Sequence, residues 1–199
     1  FPYTTLFRSG TEKAGSPYEN QTDNYTQTHY QLFYNKEISS HLKWNTAVFL
    51  TKGRGYYEEY KAGVNLINYA YPDNSLYNSI NPDIVRRRWL DNKFYGQIVS
   101  LSYQKEKDQI TIGGGWNQYD GQHFGELPYG VASTASLAQI RKVYYDNLAS
   151  KKEYNAYAKW EHQLSSKLTS FIDLQLRHVQ HTMNGFDANP SLLVDRKFD

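Results

Sequence analysis

The connections between the β-strand-like segments of this chain alternate between short and long, and this rhythm restricts the fold more than any other feature. Six segments show strand-like alternation, at residues 25–35, 43–51, 95–103, 109–117, 154–164 and 168–178. The links at 36–40, 105–108 and 165–166 are short, whereas those at 53–88 and 120–152 are long. The sequence therefore predicts an all-β fold of about six long antiparallel strands in sequential hairpins, with every long loop at one end.

Each segment also has one apolar and one polar face. In 168–178, Ile172, Leu174 and Leu176 share a face, and Asp173 and Gln175 lie on the other, because successive side chains of a strand point to opposite sides. The segments reach the roughly 9–11 residues that a tilted membrane-spanning strand needs, whereas ordinary strands average about 5–6. Short turns at one end and long loops at the other are typical of transmembrane barrels. We therefore expect the apolar face to be solvent-exposed in this chain and to contact lipid in a membrane; its marker residues are Leu42, Trp44, Val48, Leu50, Ile172, Leu174 and Leu176.

Aromatic residues cluster near the strand ends, as the two interfaces of a membrane barrel require. Trp44, Tyr103 and Trp160 lie near the short turns, and Trp116 and Tyr154 lie toward the long loops. The mean hydropathy of −0.76 does not oppose a barrel, because half of each strand faces water. An ordinary antiparallel sheet with one face on a soluble core is the alternative interpretation.

Composition excludes several functional classes. The chain has no cysteine, which removes disulfides, thiol nucleophiles and cysteine-based metal sites. Its net charge of +2 gives no electrostatic case for binding nucleic acid. No nucleophile elbow, phosphate loop or zinc-protease motif is present, so the sequence predicts a protein that is not an enzyme, with no cofactor and no metal site.

The chain is expected to be a piece of a longer protein. Six strands cannot close a barrel, since the smallest have about eight. We therefore expect one curved, open sheet with no separate hydrophobic core. Residues 1–9 match the in-frame translation of a common sequencing adapter and are interpreted as an artefact. Residues 10–199 are then one partial barrel domain.

Several stretches of residues 10–199 resemble TonB-dependent outer-membrane receptors of the Bacteroidetes type. They are GSPYENQTDNY (15–25), THYQL (28–32), GRGYYEEYK (53–61), WLDNKFYG (89–96), YDGQHFGE (119–126), LQLRHVQH (174–181) and NGF (184–186). The resemblance implies a 22-stranded barrel in the outer membrane of a Gram-negative cell, occluded by a plug that contacts TonB. The plug is not in this sequence. Outer-membrane lipid, the TonB complex and a surface lipoprotein are the partners that the resemblance implies.

Two groups of residues are the candidate ligand contacts, both expected in extracellular loops. The first is Arg54, Tyr56, Tyr57, Glu59 and Tyr60, because tyrosine offers a stacking face and a hydroxyl. The second is Asp120, His123 and Glu126, a carboxylate–imidazole group that could contact a metal chelate. The alternatives are an aromatic interface belt for the first group and solvated loop residues for the second. On the polar face, we expect Lys159 to pair with Asp173 across the last hairpin.

Three functions follow from these observations. The first is part of a receptor that imports a bulky nutrient such as a siderophore, cobalamin, a glycan or a peptide. The second is an outer-membrane barrel that does not transport, either an adhesin or a structural protein. The third is a secreted soluble β-domain that binds glycan, in which another sheet or a helix would cover the apolar face.

Overall fold

The fold is a single sheet of antiparallel strands in chain order, seen in a computed structural model that describes residues 22–69, 82–128, 142–186 and 193–198. Its strands are β1 Asp23–Ser39, β2 Leu42–Lys61, β3 Ile84–Lys105, β4 Asp108–Leu127, β5 Lys142–Ser165, β6 Leu168–Phe186 and β7 Leu193–Phe198. A 3-10 helix, Leu66–Tyr69, follows β2. Each strand pairs with the next one along the chain, and the sheet is open. The expected all-β fold with sequential hairpins is confirmed, and β7 is an additional strand that the sequence analysis missed.

The tight turns lie at one end of the sheet, where the sequence placed them. Ser40 and His41 join β1 to β2, and Glu106 and Lys107 join β3 to β4. Glu106 has a φ of 48°, in the left-handed region that the favoured types of two-residue hairpin turn use.

The long loops, in contrast, are much shorter than expected. Strand β2 continues to Lys61 and β3 already begins at Ile84, while β4 continues to Leu127 and β5 begins at Lys142. Strands β1 to β6 are therefore 17 to 24 residues long. This is about twice the roughly 9–11 residues of a spanning strand, so the half next to the turns is sufficient to cross a bilayer.

The cross-strand register divides the sheet into two faces that differ in chemistry. On the apolar face, one row of paired residues crosses five neighbouring strands. From β2 to β6 this row is Trp44, Leu101, Ile112, Ala158 and Leu174. On the polar face, Thr111 pairs with Lys159, which pairs with Asp173. The Lys159 and Asp173 side chains form an ion pair at 3.6 Å, as expected from the sequence.

The apolar residues form a band in the half of the sheet next to the tight turns. Trp44, Val48, Ile172, Leu174 and Leu176 are exposed, with Leu174 at 66% and Leu176 at 77%. Leu42 and Leu50, also expected to be exposed, are half-buried between neighbouring strands. No second sheet and no helix of the described residues covers this band. Contiguous exposed apolar surface of this kind indicates an interaction with a partner or a membrane.

Above the band, on the side away from the tight turns, a row of charged residues crosses the same face. Lys52 lies opposite Lys93, and Lys93 lies opposite Asp120. This row of charged residues marks the upper limit of the apolar band.

One small hydrophobic core lies on the polar face near the far end of the strands. It consists of Leu66 and Tyr69 from the 3-10 helix with Ile84, Leu127 and Tyr144. The sequence analysis placed no core anywhere in the fold. The exception arises because the chain after β2 folds back and packs its apolar side chains over the ends of β3 to β5.

Residues 1–9, interpreted as an adapter artefact, and 15–21 of the first resembling stretch lie outside the described residues. No helix in the described part of the chain is long and apolar enough to span a membrane.

Candidate functional site

The residues proposed as loop contacts all lie within strands, and the alternation of the strands separates them. Arg54, Tyr56, Tyr57, Glu59 and Tyr60 belong to β2, and Asp120, His123 and Glu126 belong to β4. Their placement in loops is therefore wrong, because regular pairing with β3 and β5 continues past them. Neither predicted group meets in one site.

Arg54, Tyr56, Asp120 and Glu126 lie on the apolar face, above the band. The Tyr56 and Trp89 rings are 4.6 Å apart, and the Trp89 and Phe124 rings stack at 5.7 Å. Trp89 Nε1 donates a hydrogen bond to Glu126 Oε1 at 2.9 Å. These contacts form a row of aromatic side chains across three strands, which stabilises the sheet.

Asp120 is fully engaged in contacts of the same face. Its carboxylate accepts hydrogen bonds from Ser150 Oγ at 2.8 Å, Gln118 Nε2 at 2.9 Å and the Tyr95 hydroxyl at 3.2 Å. Tyr60 is likewise engaged, since its hydroxyl donates to the Asp83 carboxylate. Both residues therefore act as structural links between neighbouring parts of the chain.

Tyr57, Glu59 and His123 lie on the polar face, where the register brings the first two against arginines. Glu59 Oε1 accepts from Arg86 Nε at 2.7 Å and from Arg86 Nη2 at 2.6 Å. The Tyr57 hydroxyl accepts from Arg88 Nη1 at 2.7 Å. His123 pairs across the ladder with Asn147, and its Nε2 lies 3.3 Å from the Tyr119 hydroxyl. Asp120, His123 and Glu126 do not converge, and the described residues contain no group of three His, Asp or Glu side chains that could hold a metal.

A cavity of about 630 Å³ lies beside these arginines, and we call it the mouth pocket. Its walls are residues 62–65 and Asn68, Tyr69, Arg86, Arg88, Tyr144, Tyr145 and Asn147. The volume is within the range of sites that enclose small molecules. The mouth pocket is at the end of the sheet away from the tight turns and on the polar face.

A β-bulge shapes the inner wall of the mouth pocket. Gly125 pairs with Tyr145 and Glu126 with Val143, which leaves Tyr144 as the extra residue of β5. A β-carbon on Gly125 would lie 2.3 Å from the Tyr144 ring and 2.4 Å from the Tyr145 ring. Both rings therefore cover Gly125 on the polar face, and only glycine leaves room for them.

The Arg88 side chain lies close enough to the Tyr144 hydroxyl to lower its pKa. Even so, three buried polar atoms around the mouth pocket make no hydrogen bond of ordinary geometry in the described part of the chain. They are Arg88 Nε, the Tyr144 hydroxyl and Asn147 Oδ1. Tyr144 is only 4% exposed. Buried polar groups are nearly always satisfied, and an unsatisfied one costs about 1–3 kcal/mol. Three such atoms around one cavity make the mouth pocket the candidate binding site.

Tyr144 and Tyr145 of the mouth pocket keep their protons at neutral pH. They lie above the apolar band, outside the part of β5 that would span a membrane. Burial raises the pKa of Tyr145 to about 12, and burial also raises the pKa of Tyr144 against the opposing effect of Arg88. Both hydroxyls are therefore able to donate hydrogen bonds to a ligand.

The sequence analysis missed Arg86, Arg88, Tyr144, Tyr145 and Asn147. The run of three arginines at 86–88 and the adjacent tyrosines 144–145 were visible, but they fell inside segments interpreted as loops. Extending the period-two pattern through 84–94 would have placed Arg86 and Arg88 on the same face as Ser100 and Ser102.

The chain was also compared with known proteins. A scan against protein-family models and a search of curated proteins each returned no match. The sheet and the mouth pocket are therefore the features from which a function can be proposed.

Proposed function

We propose that this chain is part of a TonB-dependent receptor in the outer membrane of a Gram-negative cell, where it contributes wall strands to a transport barrel. The observation that carries the proposal is the exposed apolar band, bounded by tight turns on one side and by charged residues on the other. In such a barrel the apolar face contacts lipid and the polar face lines the lumen.

The position of the mouth pocket supports the same function. It lies on the face that would line the lumen, at the end opposite to the tight turns. In this proposal, the strand halves above the apolar band extend to the extracellular side, and the mouth pocket lies where a receptor of this kind first binds a bulky nutrient. Outer-membrane lipid, TonB acting through a plug, and a surface lipoprotein are the partners of this proposal.

The test is a fractionation and pull-down experiment with the complete reading frame that encodes this chain, expressed in a Gram-negative host. The proposal predicts recovery in the outer membrane and co-purification with the periplasmic domain of TonB. Recovery in the outer membrane without TonB binding would instead favour a barrel that does not transport, such as an adhesin. Recovery as a soluble protein would contradict both and favour a secreted glycan-binding domain.

A further inference from the structure

We propose that the mouth pocket binds a hydroxylated carboxylate, meaning a molecule that carries a carboxylate with hydroxyl groups nearby. The inference rests on the proposed function in one respect, because it treats the mouth pocket as the ligand site of the receptor. It names the chemical class of the ligand.

The charge balance of the mouth pocket points to an anion. Glu59 is paired with Arg86 at 2.6 Å and with Lys61 at 3.7 Å. Arg88 donates to the Tyr57 hydroxyl but has no carboxylate partner among the described residues. A guanidinium always carries its charge in proteins and matches the geometry of a carboxylate. A bound carboxylate would supply the missing counter-charge and an acceptor for Arg88 Nε.

The other two unsatisfied atoms distinguish a hydroxylated ligand from a bare anion. The protonated Tyr144 hydroxyl can donate to a carboxylate or hydroxyl oxygen. Asn147 Oδ1, in contrast, is an acceptor and needs a donor. A carboxylate alone has no proton to give, whereas a hydroxyl on the same ligand would satisfy Asn147 Oδ1.

The size and walls of the mouth pocket agree with such a ligand. The cavity of about 630 Å³ has room for more than a single small ion. The rings of Tyr69 and Tyr144 lie 4.9 Å apart, and those of Tyr144 and Tyr145 lie 5.1 Å apart.

Two sources share the required chemistry: a uronic-acid unit of a glycan, and the hydroxycarboxylate arm of an iron chelate.

The experiment is a calorimetric titration of the complete gene product in detergent. The probes are glucuronate for the glycan source, ferric citrate for the chelate source, and glucose as the matched neutral control. We expect saturable binding of glucuronate, ferric citrate or both, and at least about tenfold weaker binding of glucose, because glucose lacks the charge that Arg88 requires. The probe that binds identifies the source.

Two variants test the assignment of atoms. Arg88→Gln is expected to weaken binding by about 10- to 100-fold, and Tyr144→Phe by about 3- to 10-fold, as for loss of a charged and a neutral hydrogen bond. Tyr144→Phe removes one oxygen and keeps the ring, so it stays informative even if Arg88→Gln fails to fold. Arg177→Gln is the matched control, and it is expected to bind like the parent protein. Arg177 lies on the same polar face but away from the mouth pocket, opposite Asn155, and is paired with Glu153 at 2.7 Å.

Several results would overturn the inference: no binding of either acidic probe, equal binding of glucose, or a Tyr144→Phe protein that binds both acidic probes as tightly as the parent. These results leave the proposed function intact if the protein still binds TonB in the outer membrane. Conversely, binding that depends on Arg88 and Tyr144 in a protein that ignores TonB would uphold the ligand class and remove the transport function.

Discussion

At the scale of single residues, the mouth pocket is formed by groups that lower the stability of the empty protein. Tyr144 buries a hydroxyl near Arg88 without a hydrogen bond of ordinary geometry, and its ring contacts Tyr69 and Tyr145. Residues kept at a cost to stability are expected where a ligand binds.

The first prediction follows from this cost. Tyr144→Phe should raise the free energy of unfolding of the ligand-free protein by about 1 kcal/mol, because it removes an unsatisfied buried hydroxyl and keeps the ring. The measurement is denaturant unfolding of the complete protein in detergent. Tyr57→Phe is the matched control, and it should lower the free energy of unfolding. The Tyr57 hydroxyl accepts a hydrogen bond from Arg88 Nη1, which loses this partner in the variant. A lower stability for Tyr144→Phe would show that its hydroxyl is satisfied.

The second prediction concerns Gly125, where the two tyrosine rings leave no space for a side chain. Gly125→Ala should lower the free energy of unfolding by about 1–3 kcal/mol, as is typical of overpacking. It should also weaken binding of the acidic probes, because the Tyr144 and Tyr145 rings must move out of the positions that form the pocket wall. Unchanged stability together with unchanged binding would contradict the close packing at the bulge.

Single residues also show what the sequence could not reveal. The alternation identified correctly that Lys159 and Asp173 share the polar face and pair there. The bulge at Tyr144 was not foreseeable, because one extra residue in β5 changes which side chains share a face, and no local sequence signal marks it. The prediction that Asp120, His123 and Glu126 form one cluster was wrong. Side chains of a loop can converge, but these three residues lie in β4, where successive side chains point to opposite faces.

At the scale of the elements, each strand has two functional halves, one in the apolar band and one above it. The alternation of apolar and polar residues predicted the half of β2 to β6 that lies in the apolar band. The half above the band was not predicted, because charged residues occupy both faces there. Cross-strand ion pairs explain this pattern: Arg87 pairs with Glu58 at 2.5 Å and Arg86 with Glu59 at 2.6 Å. Opposite charges directly across a ladder stabilise a strand that its own composition does not predict.

The third prediction tests the band in β6. Leu174→Arg should destabilise the inserted protein by about 2–4 kcal/mol, the cost of an arginine facing lipid near the bilayer midplane. Gln175→Arg, one residue further along on the polar face, should have little effect. The measurement is the equilibrium folding free energy of the complete protein in lipid vesicles. Equal effects of the two substitutions would contradict the assignment of faces.

At the scale of the whole molecule, the sheet is open and its edges carry unpaired backbone groups. The outer edge of β1 has no partner strand in the described part of the chain, and β7 pairs only with the far half of β6, from His181 to Phe186. In lipid, each unsatisfied backbone group costs several kcal/mol, and only closure into a barrel removes the edges.

The fourth prediction follows from those edges. Residues 10–199 expressed alone with detergent or lipid should not yield a monodisperse, protease-resistant monomer. The measurement combines size-exclusion chromatography with limited proteolysis, and the complete gene product is the matched control. A resistant monomer of residues 10–199 would favour a self-contained soluble β-domain.

The most direct test of the central claim, that the apolar face contacts lipid and the polar face contacts water, is cysteine scanning of residues 168–178 in the complete protein in bilayers. The chain has no cysteine of its own, so each introduced cysteine can carry a single spin label. The account predicts a period of two: labels at Ile172, Leu174 and Leu176 should be accessible to oxygen dissolved in lipid, and labels at Asp173 and Gln175 to a water-soluble nickel complex. Access of the nickel complex to both sets of positions, or accessibility without alternation, would contradict it.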